Sequence, residues 1–418
     1  MGAASSWTSP GNLGAVSQHK WEMLYRRPLL ALIAAELISS LGSLMTVVAL
    51  PWFVLETTGS PVRMSIVLAA ESAALLLVGI PSSRLVARIG SRRALMLCDA
   101  VWAPVTVLIP ILHFAGALSF PLLVVLSFLA GVPWAAHAGS QSAVVPDLLG
   151  EDVGRVAQAN ALLQTLSRLA YFAGPALGGV LLAAFGAPTV LLIDAASFVV
   201  SLLLVAAFIP ATEQRAEDAA PLATAGGWRF IRRDAWMRPL TAAQALSQAA
   251  FMGMTAAIPV LAFATYDRNA KLAGLLLGIW GGGAMVGSML ALRLVRSIDP
   301  YRLGTVAWML QALPLWGILV SRSSVVAIVA LALSGVANGV RVPPIIGLTT
   351  RRIPRRIRGE TMTTASSLVV GAGFFALLAS GPALDNLDIV VVWGAIAALQ
   401  TAAAAIFVRA ARQPIATP

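Results

Sequence analysis

Four ionisable residues lie deep inside long apolar stretches of the sequence: Glu36, Glu71, Arg168 and Asp194. A charge at the middle of a bilayer costs about 2.5 to 3.5 kcal/mol, so each of these side chains needs a partner or a water-lined cavity. A carboxylate in apolar surroundings takes up a proton more readily than in water, and an approaching cation reverses the effect. This is the chemistry of a proton-coupled carrier, and we predict that Glu71, with Glu36 second, binds the coupling proton.

Arg168 has no acid near it in its own stretch, so its partner is expected from another helix, with Glu36, Glu71 and Asp194 as candidates. We expect Arg168 or Arg341 to modulate the proton site. The alternative is a permanent structural ion pair among the same residues.

Polar residues recur at spacings of three and four along four of the apolar stretches, which places them on one helix face. A polar face on a membrane helix implies water or protein on that side. These stripes predict a substrate cavity lined by Ser39, Ser43, Trp134, His137, Gln141, Gln244, Gln248, Asn338 and Arg341. Interhelical hydrogen bonding without a cavity is the alternative.

His137 is the one histidine on such a stripe. An imidazole titrates near neutral pH in water, which suits proton sensing, but a lone histidine is more often a hydrogen-bonding wall residue. Six tryptophans of the apolar stretches are expected to anchor the membrane interface or to fill space rather than to stack on a ligand. They are Trp52, Trp102, Trp280, Trp308, Trp316 and Trp393.

The composition is that of a membrane protein. Of the 418 residues, 58% are hydrophobic and 11% are charged, and the mean hydropathy is +0.84, whereas a soluble domain carries roughly 25% charged residues. The single cysteine, Cys98, excludes an intramolecular disulfide and a cysteine-based zinc or redox site.

Twelve apolar segments are long enough to cross a bilayer core of about 30 Å. We predict spans at approximately 28–55, 61–83, 93–114, 119–141, 157–183, 187–209, 239–263, 271–294, 302–320, 324–347, 361–383 and 388–410. One long polar interval, 210–238, separates six spans from six. The predicted organisation is therefore an N-terminal segment (1–27), a six-helix bundle (28–209), a linker (210–238), a second six-helix bundle (239–410) and a tail (411–418).

The basic residues are distributed unevenly about these spans. If the N-terminus is cytoplasmic, the cytoplasmic segments hold 23 of the 29 arginines and lysines, the outer loops hold four and the spans hold two. The positive-inside rule predicts such an asymmetry. The net charge of +11 therefore reports membrane topology, and a nucleic-acid partner is not expected.

Two arginine-rich stretches, RLVARIGSRRAL at 84–95 and RLVRSIDPYRL at 293–303, lie 209 residues apart. An offset of six helices preserves orientation, so the halves are predicted to form a parallel repeat about an axis along the membrane normal. The predicted fold is an all-α membrane protein with twelve transmembrane helices in two six-helix bundles related by a parallel pseudo-two-fold axis.

The first arginine-rich stretch resembles the loop signature of the major facilitator superfamily, roughly Gly-x-Leu-x-Asp-Arg-x-Gly-x-Arg-Arg. The matching residues are Leu85, Arg88, Gly90, Arg92 and Arg93, whereas Ser83 and Ala87 stand at the first Gly and the Asp. In that family the loop Asp helps to latch the two halves on the cytoplasmic side.

Because Ala87 cannot act as this latch, either another acid replaces it, with Asp99 nearest, or the gate is looser. Pairing with Arg92 or Arg93 is the alternative for Asp99. The residues expected to take part in gating in this region are Arg84, Arg88, Gly90, Arg92, Arg93 and Asp99.

A second element, GPALGG at 174–179, is similar to the Gly-Pro-x-x-Gly-Gly element of the antiporter branches of the superfamily. Its residues Gly174, Pro175, Gly178 and Gly179 are expected to serve the conformational change, because small residues let helices approach closely and proline bends a helix. A tight helix crossing alone is the alternative. The whole pattern is similar to the proton-driven drug-efflux branch that includes macrolide-efflux and enterobactin-exporter-like proteins, whose helices 1, 4, 7 and 10 line the cavity.

The sequence thus predicts a proton-coupled secondary active transporter that exports drugs or other hydrophobic or amphipathic small molecules by alternating access. A siderophore or lysolipid transporter of the same fold and a non-transporting membrane sensor or scaffold are the alternatives. No cofactor, metal or enzymatic activity is expected, because no metal cluster, nucleophile motif or phosphate loop stands out. The expected partners are a small-molecule substrate, protons and the lipid bilayer, and the expected state is a monomer in a bacterial cytoplasmic (inner) membrane with both termini in the cytoplasm.

Overall fold

The computed structural model describes residues 27–150, 152–211, 225–321 and 323–411, without the side chains at 80, 81, 83, 84, 87 and 225. Its helices include twelve that are long and apolar enough to cross a membrane, which confirms the predicted number. In chain order, spans 1 to 12 are Arg27–Thr58, Pro61–Ile89, Ser91–Phe114, Phe120–Leu149, Val153–Phe185, Ala187–Phe208, Met237–Ala264, Ala270–Ser297, Pro300–Val320, Ser324–Arg352, Arg358–Asn386 and Ile389–Ala411.

Three spans extend five or more residues beyond their predicted ends at the membrane face where the linker lies, which we call the linker end. Span 2 ends at Ile89 rather than at 83, span 4 at Leu149 rather than at 141, and span 10 at Arg352 rather than at 347. The extra turns contain polar residues such as Arg88, Asp147 and Arg351, so hydropathy alone ends each helix too early. The opposite membrane face is the far end.

Short capped turns join most spans. Asp152 precedes span 5 and accepts a hydrogen bond from the backbone N–H of Gly154, and Asp299 does the same for Tyr301 at the start of span 9. Gly90 joins spans 2 and 3 with a φ of +84°, a conformation that residues with a Cβ rarely adopt. These caps fix where each helix re-enters the membrane.

Span 4 consists of two helices, Phe120–Gly131 and Trp134–Leu149. Pro133 lies at the break, where its missing N–H interrupts the hydrogen-bond ladder. The second helix therefore starts at Trp134 and carries the predicted polar stripe of span 4 on its own face.

The buried cores show how the two halves meet. At the far end, one buried cluster contains residues of both halves, including Trp52, Leu191, Leu261 and Leu276. At the linker end, the N-terminal half has a buried cluster around Leu32, and the C-terminal half has a separate one that includes Leu240, Trp308 and Phe407. Within the described residues, the halves thus share a core at the far end and have separate cores at the linker end.

Two glycine-mediated crossings join the halves. A Cβ at Gly179 of span 5 would lie 2.8 Å from the carbonyl oxygen of Ala270 and 2.9 Å from Cα of Gly274 in span 8. A Cβ at Gly381 of span 11 would lie 3.0 Å from Cα of Val62 in span 2. Backbones therefore touch at both crossings, as small residues permit in membrane helices.

Candidate functional site

Glu36 of span 1 is the centre of a polar cluster in the N-terminal half. Its side chain is 7% exposed. Gln141 Nε2 donates a hydrogen bond of 2.8 Å to Glu36 Oε2, and His137 Nε2 lies 3.5 Å from Oε1. The polar stripes of spans 1 and 4 thus face each other, because His137 and Gln141 are one turn apart on the second helix of span 4.

Glu71 of span 2 belongs to the same region. Trp134 Nε1 donates a hydrogen bond of 3.1 Å to Glu71 Oε1. The Trp102 ring contacts a partner of each acid, with its centroid 5.6 Å from the Trp134 ring and 5.1 Å from the His137 ring. We call Glu36, Glu71, Trp134, His137 and Gln141 the N-half polar cluster.

Two further acids of this half, Asp99 and Asp194, are packed between helices. Asp99 is 1% exposed and accepts a 2.7 Å hydrogen bond from Ser201 of span 6. Asp194 is 2% exposed and accepts a 2.6 Å hydrogen bond from Thr46 of span 1.

Asp99 does not contact the opposite half in this conformation, and its gating role stays a prediction. Its carboxylate lies in the interior of the bundle and faces span 6, so it does not reach the opposite half. The alternative, pairing with Arg92 or Arg93, is wrong in this conformation, because Arg92 donates to the carbonyl oxygen of Ala206 and Arg93 is exposed. Proximity in sequence to the loop suggested the role, but the helix turns Asp99 inward.

Arg168 has a different partner from the one expected. Its Nη1 donates a 2.6 Å hydrogen bond to Ser288 Oγ of span 8, in the other half. The expectation that Glu36, Glu71 or Asp194 pairs with Arg168 is wrong in this conformation, since each acid has another partner. The contact continues the crossing of spans 5 and 8 toward the middle of the membrane.

The C-terminal half contains a cavity of about 470 Å³, which we call the C-half cavity. Four of the residues predicted to line a cavity lie in its wall: Gln244, Gln248, Asn338 and Arg341. Phe251, Trp280 and Met362 are among its apolar lining residues. A mixed wall of this kind suits a ligand with an apolar body and few polar groups.

The other predicted cavity residues lie in the N-terminal half and are not among those that line the C-half cavity. Trp134, His137 and Gln141 belong to the N-half polar cluster. Ser39 is buried and Ser43 is half-buried in span 1, on the helix face that carries Glu36. The structure therefore brings the stripes together in two groups, spans 1 and 4 on one side and spans 7 and 10 on the other.

Arg341 is held in the C-half cavity by an aromatic ring. Its guanidinium lies 4.3 Å from the centroid of the Trp308 ring, and its Nε is buried without a hydrogen-bond partner. Among the described residues no carboxylate forms an ion pair with it.

The loop between spans 2 and 3 contacts its own half. Besides the bond from Arg92 to Ala206, the hydroxyl of Ser91 donates to the carboxylate of Asp147 in the last turn of span 4. Arg88 and Arg93 are exposed. The side chains of Arg84 and Ala87 lie outside the described residues.

The four residues of the span 5 element face two helices. A Cβ at Gly178 would lie 2.8 Å from Met45 Cα of span 1, and Gly174 packs on Leu44 of the same span. The carbonyl oxygen of Pro175 faces Gly274 of span 8, as Gly179 does. The element thus lies at the junction of spans 1, 5 and 8.

The sequence did not predict four contacts of these sites. Trp102, Trp280 and Trp308 were assigned to anchoring or packing, but they contact the N-half polar cluster, the C-half cavity and Arg341 respectively. Asp147, as the partner of the loop residue Ser91, had no signal beyond its position near the end of span 4.

Comparison with known proteins gives consistent matches over most of the chain. Residues 32–378 match the family model described as Major Facilitator Superfamily. A protein of Mycobacterium tuberculosis named multidrug efflux pump Tap is 26% identical over 376 residues, which are 86% of this chain and 88% of that protein. The staphyloferrin A transporter of Staphylococcus aureus is 22% identical over 283 residues, covering 67% of this chain and 70% of that protein.

Solved structures show the same fold. A crystal structure of the nucleoside transporter NupG aligns with a TM-score of 0.77 at 11% identity and covers 91% of this chain and 99% of that chain. A bacterial homologue of the human lysosomal transporter Spinster, in an inward-facing and unoccupied conformation, aligns with a TM-score of 0.71 at 15% identity and covers 93% and 98%.

Proposed function

This chain belongs to the major facilitator superfamily, and from that premise we propose that it exports drugs or other amphipathic small molecules in exchange for protons. It is a multi-pass membrane transporter that acts on small molecules, and it is not an enzyme. The substrate class, the proton coupling and the direction of transport are the parts we propose.

The proposed substrate class rests on the relatives and on the C-half cavity. The relatives that match over 86% of the chain are named multidrug efflux pumps. The cavity volume of about 470 Å³ is in the range of drug-sized ligands, roughly 300 to 1,000 Å³. Its aromatic and amide walls favour an amphipathic molecule over a sugar, which needs many more hydrogen-bonding groups.

The proposed proton coupling is carried by one observation, the environment of Glu36. Glu36 lies nine residues into span 1 from Arg27, about 14 Å deep at 1.5 Å per residue. Its described partners are Gln141 and His137, and no arginine or lysine pairs with it among the described residues. A carboxylate at this depth needs a cation beside it or a bound proton. Glu36 has a titratable imidazole, His137, beside it, whereas the described partner of Glu71 is the indole of Trp134, so we place Glu36 before Glu71 as the proton carrier.

Alternating access is proposed to occur by rocking of residues 28–209 against 239–410. The support is the shared core at the far end and the separate cores at the linker end. In the other conformation the linker end would close, and the loop residues Arg84, Arg88, Arg92 and Arg93 would then contact the opposite half. We also propose a monomer in a bacterial inner membrane, with both termini and the linker in the cytoplasm.

The test is the accumulation of a broad panel of dyes, antibiotics and siderophores in efflux-deficient bacteria. Cells would express the wild type, Glu36→Gln, Glu71→Gln or the control Glu56→Gln, which changes an exposed acid near the far end of the same span. We expect the wild type and Glu56→Gln to lower accumulation in an uncoupler-sensitive manner and Glu36→Gln to fail.

Two results would contradict the proposal. If export by the wild type persists in the presence of the uncoupler, protons do not drive it. If Glu36→Gln exports as the control does, Glu36 is not the proton carrier. Loss of export in Glu71→Gln would then identify Glu71 as the proton carrier, as the sequence predicts.

A siderophore is the second candidate substrate, because one relative is named a staphyloferrin A transporter. The panel above distinguishes the two, since export of a siderophore without any drug would favour this candidate.

A further inference from the structure

The C-half cavity contains a fixed positive charge at mid-membrane. Arg341 lies eleven residues before Arg352, the last residue of span 10, which is about 16 Å from the linker end at 1.5 Å per residue. The Trp308 ring, 4.3 Å away, holds the guanidinium but does not neutralise its charge.

No protein group in the described part of this half supplies the opposite charge. Its acids lie in the first or last turn of a helix or in a loop: Asp234, Asp267, Asp299, Glu360, Asp385 and Asp388. The polar side chains of the cavity wall are neutral and include the amides of Gln244, Gln248 and Asn338. An unpaired buried cation destabilises the protein, and a ligand that brings a negative charge removes this cost.

The wall chemistry favours one kind of anion. A guanidinium presents parallel N–H donors that match the two oxygens of a carboxylate. Among the residues that line the cavity, Arg341 is the only cation, so a singly charged group is matched and a doubly charged phosphate is not. The amides offer donors to any remaining oxygen lone pairs.

The rest of the cavity favours an apolar body attached to that group. Phe251 and Trp280 have ring centroids 4.7 Å apart, and Met362 adds a flexible apolar side chain to the wall. A cationic molecule would meet the charge of Arg341 without compensation.

We propose that the C-half cavity binds amphipathic carboxylates, with the carboxylate paired to Arg341 and the apolar body against Phe251 and Trp280. This rests on the proposed export function and names its substrate class. Protons and substrate would then bind in different halves, at Glu36 and at Arg341.

The test is equilibrium dialysis with the purified full-length protein in lipid nanodiscs. The probes are three matched pairs, each an amphipathic carboxylate and its methyl ester: a bile acid, a steroid antibiotic and a long-chain fatty acid. We expect the wild type to bind at least one carboxylate about tenfold or more tightly than its ester. Arg341→Gln should weaken that carboxylate by about ten- to a hundredfold and leave the ester unchanged.

Two further variants keep the test decisive. Arg302→Gln removes the same charge from an exposed site of the same half and should bind as the wild type does. Asn338→Asp places an acid three residues from Arg341 on the same helix face and keeps the arginine, so it tests the charge even if Arg341→Gln does not fold. It should abolish the preference for the carboxylate.

The proposal is overturned if no carboxylate is preferred over its ester, or if Arg341→Gln and Asn338→Asp keep the preference. Because binding is measured without a pH gradient, this result would leave proton-driven export intact. Loss of uncoupler-sensitive efflux in cells would instead overturn the export proposal and leave the binding result standing.

Discussion

Glu36 in the N-terminal half and Arg341 in the C-terminal half lie at similar depths, about 14 and about 16 Å from the linker end. Their surroundings differ. Glu36 contacts the amide of Gln141 and the titratable imidazole of His137. Arg341 lies on the indole ring of Trp308 and faces the C-half cavity. A fixed charge suits recognition of a substrate, and a charge with a titratable neighbour suits proton exchange.

The acids of the N-terminal half also differ among themselves. Asp99 and Asp194 accept hydrogen bonds from hydroxyl groups of neighbouring helices, which is typical of structural contacts in membrane bundles. Glu36 and Glu71 instead contact the second helix of span 4, which starts at a break. One pair therefore makes structural contacts between helices, and the other lies against the helix that follows the break at Pro133.

The largest expected effect separates these two kinds of acid. Glu36→Gln should reduce uncoupler-sensitive export at least tenfold, because the amide cannot carry a proton. Asp99→Asn should keep most of the export, because the amide oxygen can still accept from Ser201. Efflux of a fluorescent substrate from loaded cells measures both, at matched protein levels. Loss of export in Asp99→Asn alone would reverse the assignment.

The next effect tests the crossing of spans 5 and 8, where backbones of the two halves touch. Gly179→Val should destabilise the protein by about 1 to 3 kcal/mol, because its side chain meets the backbone of Ala270 and Gly274. Gly371→Val is the control, since a Cβ there meets nothing within 4 Å. Thermal unfolding in detergent measures the difference, and equal melting temperatures would show that the crossing is not tight.

A smaller effect is expected for the polar contact at the same crossing. Ser288→Ala removes the described acceptor of Arg168 and should cost about 0.6 kcal/mol, the average for hydrogen bonds between membrane helices, and at most about 1.7 kcal/mol. Ser142→Ala, which removes a hydroxyl bonded within its own helix, is the control. Denaturant titration of both variants checks this, and a stable Ser288→Ala would mean that Arg168 finds another partner.

The smallest effect concerns Glu71. Trp134→Phe removes the indole N–H that donates a hydrogen bond to Glu71 and keeps an aromatic ring. Export should therefore stay within about twofold of the wild type. The efflux assay above measures it. A loss as large as that of Glu36→Gln would place Glu71 and Trp134 in the proton site.

Hydropathy and spacing were sufficient for the fold and for the polar faces. The twelve spans follow from apolar length, and the stripes at Glu36 and Gln244 follow from helical spacing. Spacing does not determine which helix faces which, so the contact of Glu36 with Gln141, 105 residues away, could not be predicted. Arg168 was paired with an acid because a buried cation was assumed to need one, but a hydroxyl at a close crossing accepts its hydrogen bond.

The most direct test of the central claim is proton movement in vesicles containing the purified protein. A concentration gradient drives an exported compound out of the vesicles. A pH-sensitive dye inside the vesicles reports the protons that enter in exchange. We predict that the wild type moves protons against the substrate, whereas Glu36→Gln exchanges labelled for unlabelled substrate normally and moves no protons. Proton movement by Glu36→Gln at the wild-type rate would contradict the claim that Glu36 carries the proton.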